Sequence, residues 1–328
     1  MTFSKLIRRA ALPLTAAAVT LATATAMAAY PERPVKIIVG FPPGGTTDFT
    51  ARMIAQGLTD QMGKTFLVDN KTGASGTIAY DFVAKSVPDG YTLGMADTTT
   101  AIVPGLFKQL PFDVLRDFQP ISQIISTPMV ILVHPDLKTN TLKEFIAYAK
   151  SRPGKLNYGS GGTGSNTHLA AELFKSAAGL DIVHVPFRGA GDAVSALLAG
   201  QVQMHVAALP TAAAGGLSSK MRALAVTSPG KQRAHLLPDV PTTEEAGLPG
   251  LVVLNFFGLM APAGTPRVVT GQLHQEIAKA LTTPTLRERF LSQGADPVGS
   301  SPEEFTKLFR EEVERWGSLV RKIGIQPE

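Results

Sequence analysis

Four short stretches carry the residues best suited to chemistry: "PPGGTTD" (42–48), "TGASGTI" (72–78), "GSGGTGSNTH" (159–168) and "FRGAGDA" (187–193). In each, a strand-like run is followed by glycine and then by small or hydroxyl-bearing residues that open a helical pattern. Such a turn presents backbone N–H groups that a helix leaves without an intrahelical acceptor, at the positive end of its dipole, and glycine lets a guest come close. There is no formal charge between Phe41 and Thr47 or between Gly159 and Thr167, so an anion held there would meet amides and hydroxyls. Any single loop has a plainer explanation, because Thr, Ser and Asp are also good N-caps. Repetition of the device argues for one shared site.

Motifs for catalysis and cofactors fit poorly. "GSGGTG" satisfies G-x-G-x-x-G at Gly159, Gly161 and Gly164, but a dinucleotide site needs an acid at the end of the next strand, and Asp181 comes at the beginning of its strand. No Gly-Lys-Ser/Thr run exists, Thr77 replaces the last glycine of G-x-S-x-G, and Pro229-Gly230 interrupts the S-x-x-K at Ser228 to Lys231. A hydrolase using Ser75 or Ser165 with His168 is a minor alternative. The 6 histidines are scattered without the i, i+4 pairing of a helical metal site, so neither a metal nor another cofactor is expected. His168 alone is placed to face a glycine turn, either as a contact or as a buried structural imidazole. Arg188 could take a carboxylate in bidentate fashion or pair with a nearby acid. Asp48 reads as a ligand contact or as a first-turn dipole partner.

The elements that must position these loops follow from periodicity. Strand candidates are 35–41, 65–70, 91–96, 129–135, 182–187, 202–209, 222–228 and 251–263, separated by helical patterns. That alternation predicts an α/β fold with mixed, mostly parallel sheets flanked by helices, and the uniformly apolar strands predict cover on both faces. Leu142, Phe145, Ile146 and Ala149 follow i, i+3, i+4, i+7 and precede Pro153-Gly154. Phe305, Leu308, Phe309, Val313, Trp316, Leu319, Val320 and Ile323 form one apolar stripe on a last helix. "PMVILVHPDL" and "LVVLNFFGLMAPAGTP" are long enough to cross between two cores. One lobe is then expected to comprise 29–127 and 253–328, and the other 128–252.

With 328 residues, 44% of them hydrophobic, the chain has material for one large or two medium cores. The absence of cysteine excludes disulfides, thiolate catalysis and cysteine metal sites. Residues 1–28 read as an export signal: Lys5, Arg8 and Arg9, an apolar middle broken at Pro13, and a small-x-small site at Ala26 to Ala28, too short for a span of about 20 apolar residues. Cleavage near Ala28 removes three cations and no acid, lowering the formal charge from +5 by three, to +2. No basic run with interleaved aromatics remains, so nucleic acid is not an expected partner.

The segments "YPERPVKIIVGFPPGGTTDFTARMIA", "GSGGTGSNTHLAAELF", "VPFRGAGDAVSALLAG", "MRALAVTS", "LPDVPTTEEAGLPG" and "FFGLMAPAGTP" occur in this order over essentially the whole chain beyond the export signal. Together they resemble the extracytoplasmic solute receptors of tripartite tricarboxylate transporters, the Bug-type or TctC-like proteins. The resemblance implies a periplasmic, two-lobed binding protein of type II-like fold that closes like a flytrap on a small organic acid and serves membrane permease subunits, with no catalysis. A ligand-loaded sensor docking on a membrane kinase is the alternative. The implied contacts are Phe41, Gly44, Gly45 and Thr46 in the opening loop, extending to Thr47 and Asp48. Ala74, Ser75 and Gly76 follow in the second loop, with Asp97 and Thr98 after the third strand. The other lobe would supply Gly162, Thr163, Gly164, Ser165 and His168, with Arg188, Gly189 and Ala190 completing the wall. One departure is informative: Ala207 stands where family members often carry an aspartate, just before the "LP" that is here Leu209-Pro210. That absence argues against an ammonium-bearing guest and for a plain mono- or dicarboxylate.

Overall fold

Strand and helix alternate through the computed structural model, which describes residues 30–217 and 220–322. The expected export signal and Ile323 of the last apolar stripe lie outside the described residues. The first strands and their crossovers are β1 (Val35–Val39), α1 (Thr46–Met62), β2 (Phe66–Asn70), α2 (Thr77–Ala84), β3 (Thr92–Asp97) and α3 (Thr98–Ile102). The long β4 (Phe118–Val133) leads to α4 (Leu142–Lys150), β5 (Asn157–Ser160), α5 (Asn166–Ala178), β6 (Val183–Pro186) and α6 (Ala190–Leu198). Then come β7 (Met204–Ala208), α7 (Leu209–Ala214), β8 (Arg222–Val226), β9 (Leu254–Pro262), α8 (Arg267–Thr282), α9 (Pro284–Leu291), β10 (Asp296–Pro297) and α10 (Pro302–Lys322).

The strands form a mixed sheet in the order β2-β1-β3-β9-β4-β7-β5-β6, with β8 and β10 also paired to β4. The β1–β2, β1–β3, β5–β6 and β5–β7 ladders are parallel, as strands joined by crossover helices must be. Pairings made by β4 and β9 are antiparallel. β4 begins well before the expected Met129. Its first half escapes a hydrophobicity reading because Gln119, Ser122, Gln123 and Ser126 interrupt the apolar run. Ser122 and Gln123 are nonetheless buried: the Ser122 hydroxyl donates to the Ser300 carbonyl at 2.8 Å, and the Gln123 N–H donates to Ser300 Oγ at 3.0 Å. Pro120 falls where the register with β9 shifts, so its missing N–H is accommodated at a bulge. The polar β5 was likewise hidden from periodicity.

β4 changes neighbours partway along. Phe118–Pro128 pair with β9, while Met129–Val133 pair with β7 and β8. Beside this switch the buried Thr227 hydroxyl accepts from the Met129 N–H at 2.9 Å and donates to the Val253 carbonyl at 2.6 Å. One hydroxyl thus ties both places where the chain passes between the two halves of the sheet. Predicted helical stripes pack as expected: Leu142, Phe145 and Ala149 are buried on α4, and Phe305, Phe309, Trp316 and Val320 on α10. Phe256 of β9 meets the rings of Phe305 and Phe309 edge-on at 5.8 and 5.9 Å, and Trp316 Nε1 donates to Glu312 at 2.7 Å. Among the described residues no helix is long and apolar enough to cross a membrane.

Replacing Thr227 by valine keeps its shape and removes its side-chain hydrogen bonds to Met129 and Val253. The unfolding free energy from urea titration is expected to fall by about 1–3 kcal/mol, with Thr227→Ser losing less.

Candidate functional site

The loops singled out by composition leave the C-terminal ends of β1, β2, β5 and β6, the edge at which open α/β sheets bind ligands. Their helix starts test the capping explanation directly. α1, α2 and α6 begin after Gly45, Gly76 and Gly189, and none of these starts has a side-chain cap. Only α5 does, where Ser165 Oγ accepts from the His168 N–H at 3.3 Å. In three of the four loops, then, the first-turn N–H groups depend on partners other than a capping side chain. The second loop is also strained: Ala74 and Ser75 adopt φ of 46° and 52°, a left-handed region unfavourable to side chains.

A cavity of about 500 Å³ lies among Gly40 and Phe41, Thr72 to Gly76, Leu106 and Phe107, Gly161 to Gly164, and Phe187 and Arg188. Its walls include Phe41, Ala74, Ser75, Gly76, Gly162, Thr163, Gly164 and Arg188 of the expected set. A second, tight space of about 30 Å³ shares Phe41 and Gly161 and is bounded by Gly45, Thr46, Thr47, Asp97, Ser165 and Ala190. Residues from all four loops therefore meet around two adjoining spaces.

The remaining expected residues lie off both walls. Gly44 is exposed. The Asp48 carboxylate accepts from Arg52 Nε and Asn70 Nδ2, each at 2.9 Å, and Asn70 also donates to the Phe41 carbonyl at 2.8 Å, so this pair braces the opening loop. Thr98 is buried, its hydroxyl accepting from the Phe256 N–H at 3.2 Å. Ala207 is buried within β7. Gly189 packs on Pro42, where an added Cβ would come within 2.6 Å of Pro42 Cγ. His168 lies behind its loop, with Nδ1 accepting from the Gly164 N–H at 3.1 Å. Leu106, Phe107, Phe187 and Thr211 were not anticipated as wall residues: only Phe187 had a signal, its place beside Arg188.

The two loop sets touch. The Thr46 N–H donates to Thr211 Oγ1 at 3.0 Å, the two hydroxyls lie 2.8 Å apart, and the Ser75 hydroxyl donates to the Thr163 carbonyl. The Asn166 N–H donates to Thr99 Oγ1 at 3.2 Å. This is a closed arrangement. Charged side chains on the walls are Arg188 and Asp97 alone. Asp97 accepts from the Thr47 hydroxyl at 2.7 Å and from the Thr99 and Thr100 N–H groups at 2.9 and 3.3 Å, which makes it the cap of α3. Burial pushes its pKa up, while these bonds pull it back.

Behind Gly162–Gly164 the His168 ring stacks on His184 with centroids 4.0 Å apart, and His184 stacks on Tyr158 at 4.9 Å. Ser160 Oγ lies 2.6 Å from His184 Nε2 and accepts from the Gly162 N–H at 3.2 Å. The alternative serine–histidine pairing is not formed: Ser75 bonds Thr163, Ser165 caps α5 and His168 holds Gly164. The serine that does meet a histidine, Ser160, is fully buried and supports the loop from below.

A mixed sheet with loops from its two halves meeting over one cleft is the fold of the periplasmic binding proteins. Solved structures agree. Rpa4515 of R. palustris, determined with adipate, is 34% identical with a TM-score of 0.87, covering 91% of this chain and 100% of that one. MatC of Rhodopseudomonas palustris, with bound malate, is 32% identical with a TM-score of 0.83, covering 89% and 100%. Residues 50–325 match the tripartite tricarboxylate transporter family receptor, TctC, and Protein BugT of Bordetella pertussis is 38% identical over 297 residues, 90% of each chain. The chain belongs to this TctC family of solute-binding receptors.

Burial pushes the imidazoles of His184 and His205 down to about 4 and also lowers His168. For such groups the unfolded chain binds protons more tightly, so their contribution is constant above the ordinary value of 6.5 and stability is lost as pH falls toward about 4. The fully buried His205 is expected to remove about 1.4 kcal/mol per pH unit inside that window, with the half-buried His184 acting in the same sense but more weakly through solvent screening and the raised Asp97 in the opposite sense at the acid end. Urea midpoints from about pH 7.5 to 5 check this; a flat profile would contradict neutral imidazoles behind the loop.

Proposed function

We propose that this protein is a periplasmic receptor that captures a small organic carboxylate by closing its two halves and delivers it to the membrane permease subunits of a tripartite tricarboxylate transporter. The observation that carries this reading is the convergence of helix starts without side-chain caps, from both halves, on two adjoining spaces with little wall charge: the start of α2 on the larger and those of α1 and α6 on the smaller. Backbone amides at helix starts suit a carboxylate, and neighbours of the same fold hold adipate and malate. The lobes are 29–127 with 253–328, and 128–252. They hinge where β4 changes partners and where the chain passes Val253.

A guest contacting both loop sets stabilises the closed form, because only differential contact shifts that equilibrium. Binding needs no covalent step. Residues 1–28 act as the export signal that brings the receptor to the periplasm.

Purified receptor titrated with a carboxylate panel is expected to show a melting temperature that climbs with ligand concentration, with the ligand recovered unchanged. A panel without any shift, or conversion of a carboxylate, would reject the reading. Thr211→Val removes the closing bonds to Thr46 and should weaken calorimetric affinity up to about tenfold. Deleting the gene should lower uptake of the acid that binds.

A further inference from the structure

The larger cavity is chemically uneven. Its polar surface comes from the glycine turns with Thr72, Ser75 and Thr163, whereas Phe41, Leu106, Phe107 and Phe187 supply an apolar wall. Arg188 is the one charged side chain lining it, is exposed, and has no hydrogen-bond or ion-pair partner among the described residues. Asp97 belongs to the adjoining small space and is occupied as the cap of α3.

On the receptor reading above, we propose that the guest is a dicarboxylate with an unsubstituted apolar body, and that Arg188 determines this specificity by taking the second carboxylate. The first acid group sits at the neutral amides and hydroxyls of the glycine turns. The body lies against the Phe and Leu wall, and the outer acid meets the guanidinium, whose planar donor fork matches a carboxylate. A cavity of about 500 Å³ falls within the range that encloses ligands larger than a four-carbon acid. A hydroxyl on the body would lose water against that wall without a partner, which penalises short hydroxyacids. A monocarboxylate of the same length would leave Arg188 unused.

Calorimetry with the purified full receptor tests this using adipate, hexanoate and malate. Adipate is expected to bind about tenfold or more tightly than either of the others. Arg188→Gln should weaken adipate about fivefold or more and leave hexanoate within about twofold, with an unchanged ligand-free melting temperature because the side chain is exposed and unpaired. Tighter binding of malate, equal loss for adipate and hexanoate in the variant, or no loss for either would overturn the proposal while the receptor reading stands. Failure of every carboxylate to bind would remove both.

Discussion

The structure depends on a requirement of the peptide backbone: the first N–H groups of a helix must find acceptors outside it. At three of the four loops around the cleft no capping side chain supplies them, and at α1 the Thr46 N–H turns instead to Thr211 Oγ1. α1, α2 and α6 all start at glycine without a cap, while α5 is closed by Ser165. A protein seeking stability alone gains about 1 kcal/mol from each ordinary cap. The parallel strands on both sides set these helix starts, with the positive ends of their dipoles, at the same edge of the sheet.

Small residues let these ends approach. An added Cβ on Gly161 would lie 2.9 Å from the Ala190 backbone nitrogen, and one on Gly189 would lie 2.6 Å from Pro42. The loops therefore pack glycine backbone directly against the neighbouring backbone at Ala190 and against the Pro42 ring. Polar support lies behind them: Asn70 and Asp48 under the first loop, and His168, Ser160 and His184 under the third. These imidazoles act as neutral supports, since His168 Nδ1 must accept the Gly164 N–H.

Communication between the halves runs through few covalent paths. β4 serves both parts of the sheet, and Thr227 bonds the chain at Met129 and Val253.

Much of this was legible in the residues. The glycine turns, the α/β alternation, the apolar stripe of α10 and the lack of a catalytic or dinucleotide motif all follow from local spacing, because turn, helix and strand preferences are short-range. Legibility failed where polar residues are buried by distant partners, as along the first half of β4, whose Ser122 and Gln123 are satisfied by Ser300. It also failed for Leu106 and Phe107, ordinary apolar residues that line the cavity only because the fold brings them opposite the loop after β5. His168, Asp48 and Ala207 had the right type and position in sequence to touch a guest. Tertiary packing sets them off the walls of the two spaces, because which face of a loop meets the cleft depends on what fills the space behind it.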